Sequence, residues 1–207
     1  MCQVPTSLAD LRMLVAGTPM AAALDYTLAP DHAARVMAVQ KSIDFACNSL
    51  EANRNALKDL GEDAITLQIC QMMKMTGIQA EHDAHVGGHC DIVVRGADSF
   101  LWLAEAKIHN SYSWLDKGFK QLSRRYSTGV YGQDHADILV YCFAQNAAGV
   151  LETWRQKLHA FHDDVQTENS PCGNPMLFVS KHQHAGSGLV FHTRHKVVAL
   201  YWEPIDT

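Results

Sequence analysis

Apolar residues recur along this chain with two different periods, and the change of period separates helices from strands. Through the run from Pro30 to Leu60, apolar residues return every three or four positions, which predicts a long helix within a helical N-terminal stretch. A second helix is predicted from Glu62 to Thr76, because the following Gly77 is a common helix C-terminal signal.

The pattern becomes that of strands after residue 77. Three strands are predicted next, at 78–85, 88–96 and 99–109, and the turn-type cluster 96–99 joins the last two. The remaining predicted elements are a short basic helix at 116–127, a buried strand at 137–144, an amphipathic helix at 147–166, and two or three closing strands at 176–181, 188–194 and 196–202.

This order of elements predicts the fold class. We expect an α/β protein with a mixed central sheet flanked by helices, an N-terminal helical extension and a C-terminal β region. At 207 residues the chain is long enough for one sizeable domain, and it contains neither an internal repeat nor a low-complexity linker. We therefore predict a single domain over 1–207, with helices in 1–60, a core in 61–145 and a helix with strands in 146–207.

Composition narrows the class of protein. The chain is 47% hydrophobic and 19% charged, as in ordinary globular proteins, and its net charge of -5 argues against a nucleic-acid footprint over the whole surface. Six cysteines are scattered without C-x-x-C spacing, so a reducing, cytoplasmic setting is expected. Asp10 and Arg12 interrupt the N-terminal apolar run, so we expect neither a signal peptide nor a membrane span, although export by a signal-less route would give the same pattern.

The two central predicted strands carry three ionisable residues on one face. If they pair as an antiparallel hairpin centred near Asp98, Asp91 lies opposite Glu105. Side chains alternate along a strand, so Glu105 and Lys107 share a face, and Asp91 joins them. Charged groups on apolar strands are unfavourable unless a cation or a reaction uses them. A surface salt bridge between Glu105 and Lys107 is the alternative interpretation.

Glu62 extends this group of charged residues. It heads an apolar stripe that includes Ile65 and Ile69, so its carboxylate is expected to point at the sheet; a first-turn acid favoured by the helix dipole is the alternative. Mg²⁺ prefers carboxylate and water oxygens and keeps several waters, so two or three acids suffice to bind it. Such an ion lowers the pKa of a bound water and offsets charge that builds on a phosphate. The residues therefore predict a site for Mg²⁺ or Mn²⁺.

These residues together resemble the PD-(D/E)xK nuclease superfamily, which has the restriction-endonuclease-like fold. The resemblance rests on Glu62, on Asp91 within the sequence HCDIVV, and on Glu105 and Lys107 of an ExK triplet. It covers about residues 60 to 145, in the order helix, three-strand meander, helix and strand.

The resemblance implies a metal-dependent phosphodiesterase with a role for each residue. Asp91 and Glu105 would be metal ligands, Lys107 would position the attacking water, and Glu62 would be a further ligand or would orient one. Cys90 replaces the proline of the motif's name, at a position that varies widely in the superfamily.

The predicted helix 116–127 adds a basic surface. Projected at about 100° per residue, Gln121 and four basic residues share one arc, opposite an apolar arc that includes Tyr126. The basic residues are Lys117, Lys120, Arg124 and Arg125. We expect them to contact a phosphate backbone; a solvated helix face is the alternative. Gln121 is similar to the glutamine of the superfamily branch with a QxxxY helix, although Tyr126 follows five residues later instead of four.

The sequence thus predicts a nuclease that uses Mg²⁺ or Mn²⁺ to hydrolyse DNA phosphodiester bonds. Cleavage of both strands needs two sites, so a homodimer is expected, with the long N-terminal helix as one interface. Two alternatives stay open. One is a nuclease for RNA or for branched or single-stranded DNA. The other is an inactive nucleic-acid-binding subunit of the same fold, against which the retained charges argue.

The histidine content offers a lesser hypothesis. Of 12 histidines, four lie late in the chain, at His182, His184, His192 and His195, and Cys172 is near them. Histidines two apart on a strand can bind Zn²⁺, yet no spacing here matches an established zinc signature. A structural zinc site is therefore the less favoured interpretation.

Overall fold

The computed structural model describes residues 6–204, and helices precede the first strands in it. The α-helices are α1 (Leu8–Val15), α2 (Pro19–Thr27), α3 (His32–Ala52), α4 (Glu62–Met75), α5 (Tyr112–Lys120) and α6 (Ala147–Phe161). The strands are β1 (Ala80–His85), β2 (His89–Arg95), β3 (Leu101–Ile108), β4 (His135–Cys142), β5 (Gln166–Asn169), β6 (Leu177–Gln183) and β7 (Val190–Ala199). Across residues 6–204, no helix combines the length and the apolar character needed to cross a membrane.

The strands form one mixed seven-stranded sheet in the order β1-β2-β3-β4-β7-β6-β5. β4 is parallel to both β3 and β7, and the other neighbours are antiparallel. Helices α3 and α4 pack on one face, while α5 and α6 pack on the other. The predicted α/β class with a mixed central sheet flanked by helices is therefore confirmed.

Several predicted boundaries are wrong. The predicted helix 30–60 ends at Ala52 and is followed by a short 3-10 turn, and the predicted helix 147–166 ends at Phe161, after which β5 begins. The closing strands 188–194 and 196–202 are one strand, β7, because it pairs with β4 along its length. No turn residue interrupts that pairing, so the chain has no reason to bend there.

The β2–β3 hairpin has the predicted register. Asp98 and Ser99 both have positive φ angles, 55° and 60°, as the two central residues of a type I′ turn require. The register is shown by the strand pairing itself, which places Ile92 opposite Ala104. Asp91 therefore falls opposite Glu105, as the sequence predicted.

Candidate active site

The site forms where β2 diverges from β3. The strand pairing ends at Ile92, and beyond it two N–H groups of β3 bond to side chains instead of a strand. The N–H of Ala106 donates to Asp91 Oδ2 at 2.7 Å, and the N–H of Ile108 donates to Glu62 Oε2 at 2.7 Å. Because buried backbone donors require acceptors, the diverging strands fix the positions of both carboxylates.

Lys107 lies at the centre of the carboxylates. Its Nζ is 2.7 Å from Glu105 Oε1 and 3.1 Å from Glu62 Oε1. The distance to Asp91 Oδ2 is 3.7 Å, and Nζ also donates to the carbonyl of Ala106 at 2.8 Å. The structure thus brings together the four charged residues of the sequence prediction.

Burial changes the proton affinity of this group. Glu105 is 1% exposed, and this burial together with the charge of Asp91 raises the pKa of Glu105 to about 8. Burial also raises the pKa of Asp91. Burial opposes the charge of Lys107, but the carboxylates of Glu105 and Asp91 outweigh it and raise the pKa of the lysine. The ammonium therefore stays charged, while the acids compete for protons.

The residues fit a divalent cation with oxygen ligands. Three carboxylates surround a single ammonium, so acidic charge is in excess when all four groups are ionised. Glu105 Oε2 is buried and bonds to no group of the described chain. Glu62 and Asp91 keep 25% and 21% of their side-chain surface exposed, so the acids can be reached from solvent. Glu62, Asp91 and Glu105 could hold Mg²⁺ or Mn²⁺ with some of its waters retained.

Helix α5 covers the buried side of the site. A Cβ atom at Gly118 would lie 3.0 Å from Lys107 Cγ and 3.4 Å from Glu105 Cγ, so glycine permits this close approach. The ring of Trp114 lies between two lysines, with its centroid 5.6 Å from Lys107 Nζ and 4.6 Å from Lys117 Nζ. Sequence reasoning missed Gly118, although a glycine inside a predicted amphipathic helix is a signal for close packing.

The second half of the predicted basic helix is not α-helical. Residues Gln121–Tyr126 form a π-helix, in which hydrogen bonds span five residues instead of four. Gln121 Nε2 consequently donates to the hydroxyl of Tyr126 at 3.1 Å. Tyr126 is nevertheless buried with Phe119 and Leu122, on the apolar side where the projection placed it. Burial and then the charge of Glu105 raise the pKa of Tyr126, which ties this pair electrostatically to the site.

The four basic residues are all exposed, as the projection predicts, and each makes a different contact. Lys117 stacks on Trp114 beside the site, whereas Lys120 pairs with Asp116 at 2.6 Å. Arg125 Nε donates to the carbonyl of Gly87, in the turn between β1 and β2. Arg124 instead lines a cleft of about 460 Å³ beside the β6–β7 turn, on the opposite side of the sheet order. Contact of these four residues with a phosphate backbone stays a prediction.

The late histidines have separate environments. His195 is buried, receives the indole N–H of Trp154 at 3.1 Å, and shares a hydrogen bond with the hydroxyl of Ser180 at 2.8 Å. Burial lowers the pKa of His195 to about 3 and that of His182 to about 4. Both rings are therefore neutral at pH 7 and serve as core residues.

Comparison with known proteins gives no match: no family model, curated protein or solved structure shows significant similarity to the chain. The function must therefore be inferred from the site itself.

Proposed function

We propose that this protein is a metal-dependent nuclease that hydrolyses DNA phosphodiester bonds and that it belongs to the PD-(D/E)xK superfamily. The proposal is carried by the convergence of Glu62, Asp91, Glu105 and Lys107 where β2 diverges from β3. The elements from α4 to β4 follow the order of the restriction-endonuclease-like core, which supports the assignment.

The residues divide the chemistry between them. Asp91 and Glu105 would hold the cation, and Glu62, whose carboxylate contacts Lys107 at 3.1 Å, would either join them or help to orient them. A bound Mg²⁺ or Mn²⁺ would lower the pKa of a coordinated water and offset charge on the phosphate. Lys107 would place a compact positive charge beside the attacking water or the developing oxyanion. Its ammonium is pre-positioned, because Glu105 and the Ala106 carbonyl hold it at 2.7 and 2.8 Å.

The site also has local features suited to a polyanion. Although the chain carries a net charge of -5, Lys117 lies beside the site on Trp114, and Arg125 lies over the turn that precedes β2. Gln121 has a buried side-chain oxygen that bonds to no group of the described chain. These groups would position the backbone of the substrate strand. Cleavage of both strands of a duplex would require two such sites, and hence two copies of the chain.

Cleavage assays with matched variants test the proposal. Purified protein is incubated with supercoiled plasmid, linear duplex, single-stranded DNA and RNA, in EDTA, Mg²⁺ or Mn²⁺. Glu105→Gln and Lys107→Met are compared with Glu168→Gln and Lys181→Met, which alter an exposed Glu–Lys pair of similar length, 2.6 Å, on β5 and β6. We expect the site variants to lose at least about 100-fold in rate and the control variants to keep it.

The outcomes separate the alternatives. Metal-dependent cutting that disappears only in the two site variants supports the nuclease, and the preferred substrate decides between DNA and RNA. Binding of DNA with no cutting in any metal, by folded protein, supports an inactive binding subunit. Cutting that survives in both site variants means that the catalytic centre lies elsewhere.

A further inference from the structure

A second group of metal-type ligands lies at the start of β4, away from the candidate active site. His32 begins α3, and Asp134 and His135 lie at the entrance to β4. One ligand atom from each of these three side chains lies within 4.8 Å of the others. Asp134 Oδ1 is 3.0 Å from His32 Nε2 and 2.7 Å from His135 Nδ1. The fold thus brings together residues 102 positions apart in the sequence.

A third imidazole lies beside this group. His192 on β7 is the strand partner of His135, and their rings stack with centroids 4.8 Å apart at an angle of 13°. His32 is held from its other side by the ring of Phe100, at 5.2 Å. The side chains of the group are partly exposed, so an ion could enter from solvent without unfolding any element.

We propose that His32, Asp134 and His135 bind one transition-metal ion of the Zn²⁺ class. Two imidazole nitrogens with one carboxylate oxygen suit Zn²⁺, Co²⁺ or Ni²⁺, whereas Mg²⁺ prefers oxygen ligands alone. Metal–ligand distances near 2.1 Å place tetrahedral ligands about 3.4 Å apart. The two carboxylate–imidazole contacts, at 3.0 and 2.7 Å, would therefore open by less than an ångström. The fourth position would be taken by water or by His192.

This site differs in chemistry from the candidate active site, whose acidic ligands offer only oxygen. Its three ligands connect the first turn of α3 to the entrance of β4, so an ion would tie a surface helix to the centre of the sheet. Any ion that binds the folded chain but not the unfolded chain stabilises the fold. We therefore expect bound Zn²⁺ to raise the melting temperature.

A metal-free explanation makes a different prediction. Asp134 could simply accept hydrogen bonds from two neutral imidazoles, in which case no ion is needed. Asp134→Asn separates the two explanations, because the asparagine oxygen still accepts both hydrogen bonds but lacks the ligand charge. If the group is only hydrogen-bonded, this substitution should change the stability of the fold little. If the group is a metal site, the substitution should lower its affinity for the ion.

The test uses the full chain stripped with a chelator and dialysed. Co²⁺ is added and followed by its visible absorption, Zn²⁺ is then added as a competitor, and Mg²⁺ is tested separately. We expect one Co²⁺ per chain, displaced by Zn²⁺ and not by Mg²⁺. His32→Gln, His135→Gln and Asp134→Asn should each weaken binding by at least about tenfold. His159→Gln, which alters a histidine on α6 that contacts Thr167, is the control.

The result is independent of any nuclease activity, because no substrate is present. Circular dichroism without metal checks that each variant is folded. The proposal is overturned if the wild-type chain binds neither Co²⁺ nor Zn²⁺, or if the three variants bind as the control does. It is also overturned if Glu105→Gln abolishes binding while His32→Gln does not, since the ion would then lie in the acidic site.

Discussion

Two clusters of charged residues each connect the sheet to a helix, and they differ in how their charges are balanced. The cluster around Arg194, which we call the Arg194 cluster, also contains Asp44, Asp137 and Lys196. Arg194 bonds Asp137 at 2.6 Å and Asp44 at 3.0 Å, and Lys196 lies 3.3 Å from Asp44. Gln40 donates a further hydrogen bond to Asp137 at 3.2 Å. Two acids therefore meet two bases, and each charge has a partner.

The candidate active site has the opposite balance. Three acids surround Lys107, and Glu105 Oε2 is buried without a hydrogen bond to the described chain. Buried charges in a folded protein are normally paired, because desolvation is unfavourable for an isolated ion. In the Arg194 cluster every charge has a partner of opposite sign, so the cluster requires no additional ion. In the candidate active site the acids outnumber the base, which supports the proposed cation. We therefore assign a structural role to the first cluster and propose a chemical role for the second.

The largest effect is expected from breaking the balanced cluster. Arg194→Met would leave Asp137 buried without its cation, so we expect the free energy of unfolding to fall by about 3–5 kcal/mol in urea denaturation. Lys181→Met is the control, because it breaks an exposed pair and should lose no more than about 1 kcal/mol. A loss in Arg194→Met as small as in the control would show that the two clusters do not differ in structural importance.

A pH-dependent effect is expected from the unbalanced cluster. The pKa of Glu105 is about 8 when folded against 4.5 for the free side chain, so the folded chain retains a proton that the unfolded chain has released between these values. Stability must therefore fall as pH rises through this window, and Glu105→Gln removes that loss. We expect the stability of the variant relative to wild type to rise by more than about 1 kcal/mol between pH 5 and 9.

Urea denaturation in EDTA at pH 5, 7 and 9 measures this difference. Glu168→Gln is the control, because Lys181 lowers the pKa of Glu168 and leaves it ionised over the whole range. A relative stability of Glu105→Gln that stays flat with pH, as in the control, would show that Glu105 is ionised throughout.

The smallest effect separates two neighbouring lysines. Lys120 already pairs with Asp116 at 2.6 Å, whereas Lys117 stacks on Trp114 beside the site. We expect Lys117→Ala to weaken DNA binding several-fold and to reduce the salt dependence of binding by about one counterion. Lys120→Ala should change the affinity and the salt dependence less. Fluorescence anisotropy at a series of salt concentrations, without divalent metal, measures the effects. Equal losses of DNA affinity for the two variants would contradict the expectation that Lys117 contributes more to DNA binding than Lys120.

The sequence predicted those parts of the molecule that depend on neighbouring residues. The β2–β3 register followed from the turn at Asp98 and from strand alternation, so Asp91 and Glu105 could be placed opposite each other. The stripe below Glu62 was similarly local, since Ile65 and Ile69 are buried as its periodicity indicates.

Features that depend on distant contacts could not be predicted. His32 and Asp134 meet although 102 positions separate them, and no short pattern marks the pair. The π-helix at Gln121–Tyr126 has no compositional signal, so a regular projection of about 100° per residue could not show that the side chains of Gln121 and Tyr126 meet. Likewise, nothing in the sequence marks His195 as a core residue, because its hydrogen bonds are to Trp154 and Ser180 from other elements.

The π-helix has a consequence for how similar chains should be sought. It behaves as an insertion of one residue that the helix absorbs while Gln121 and Tyr126 stay in contact. A search pattern that fixes their separation at four would reject this chain, although the pair meets in space. A pattern that allows a separation of four or five residues would include this chain. The longer separation corresponds to a local π-helical turn, in which the two side chains still meet.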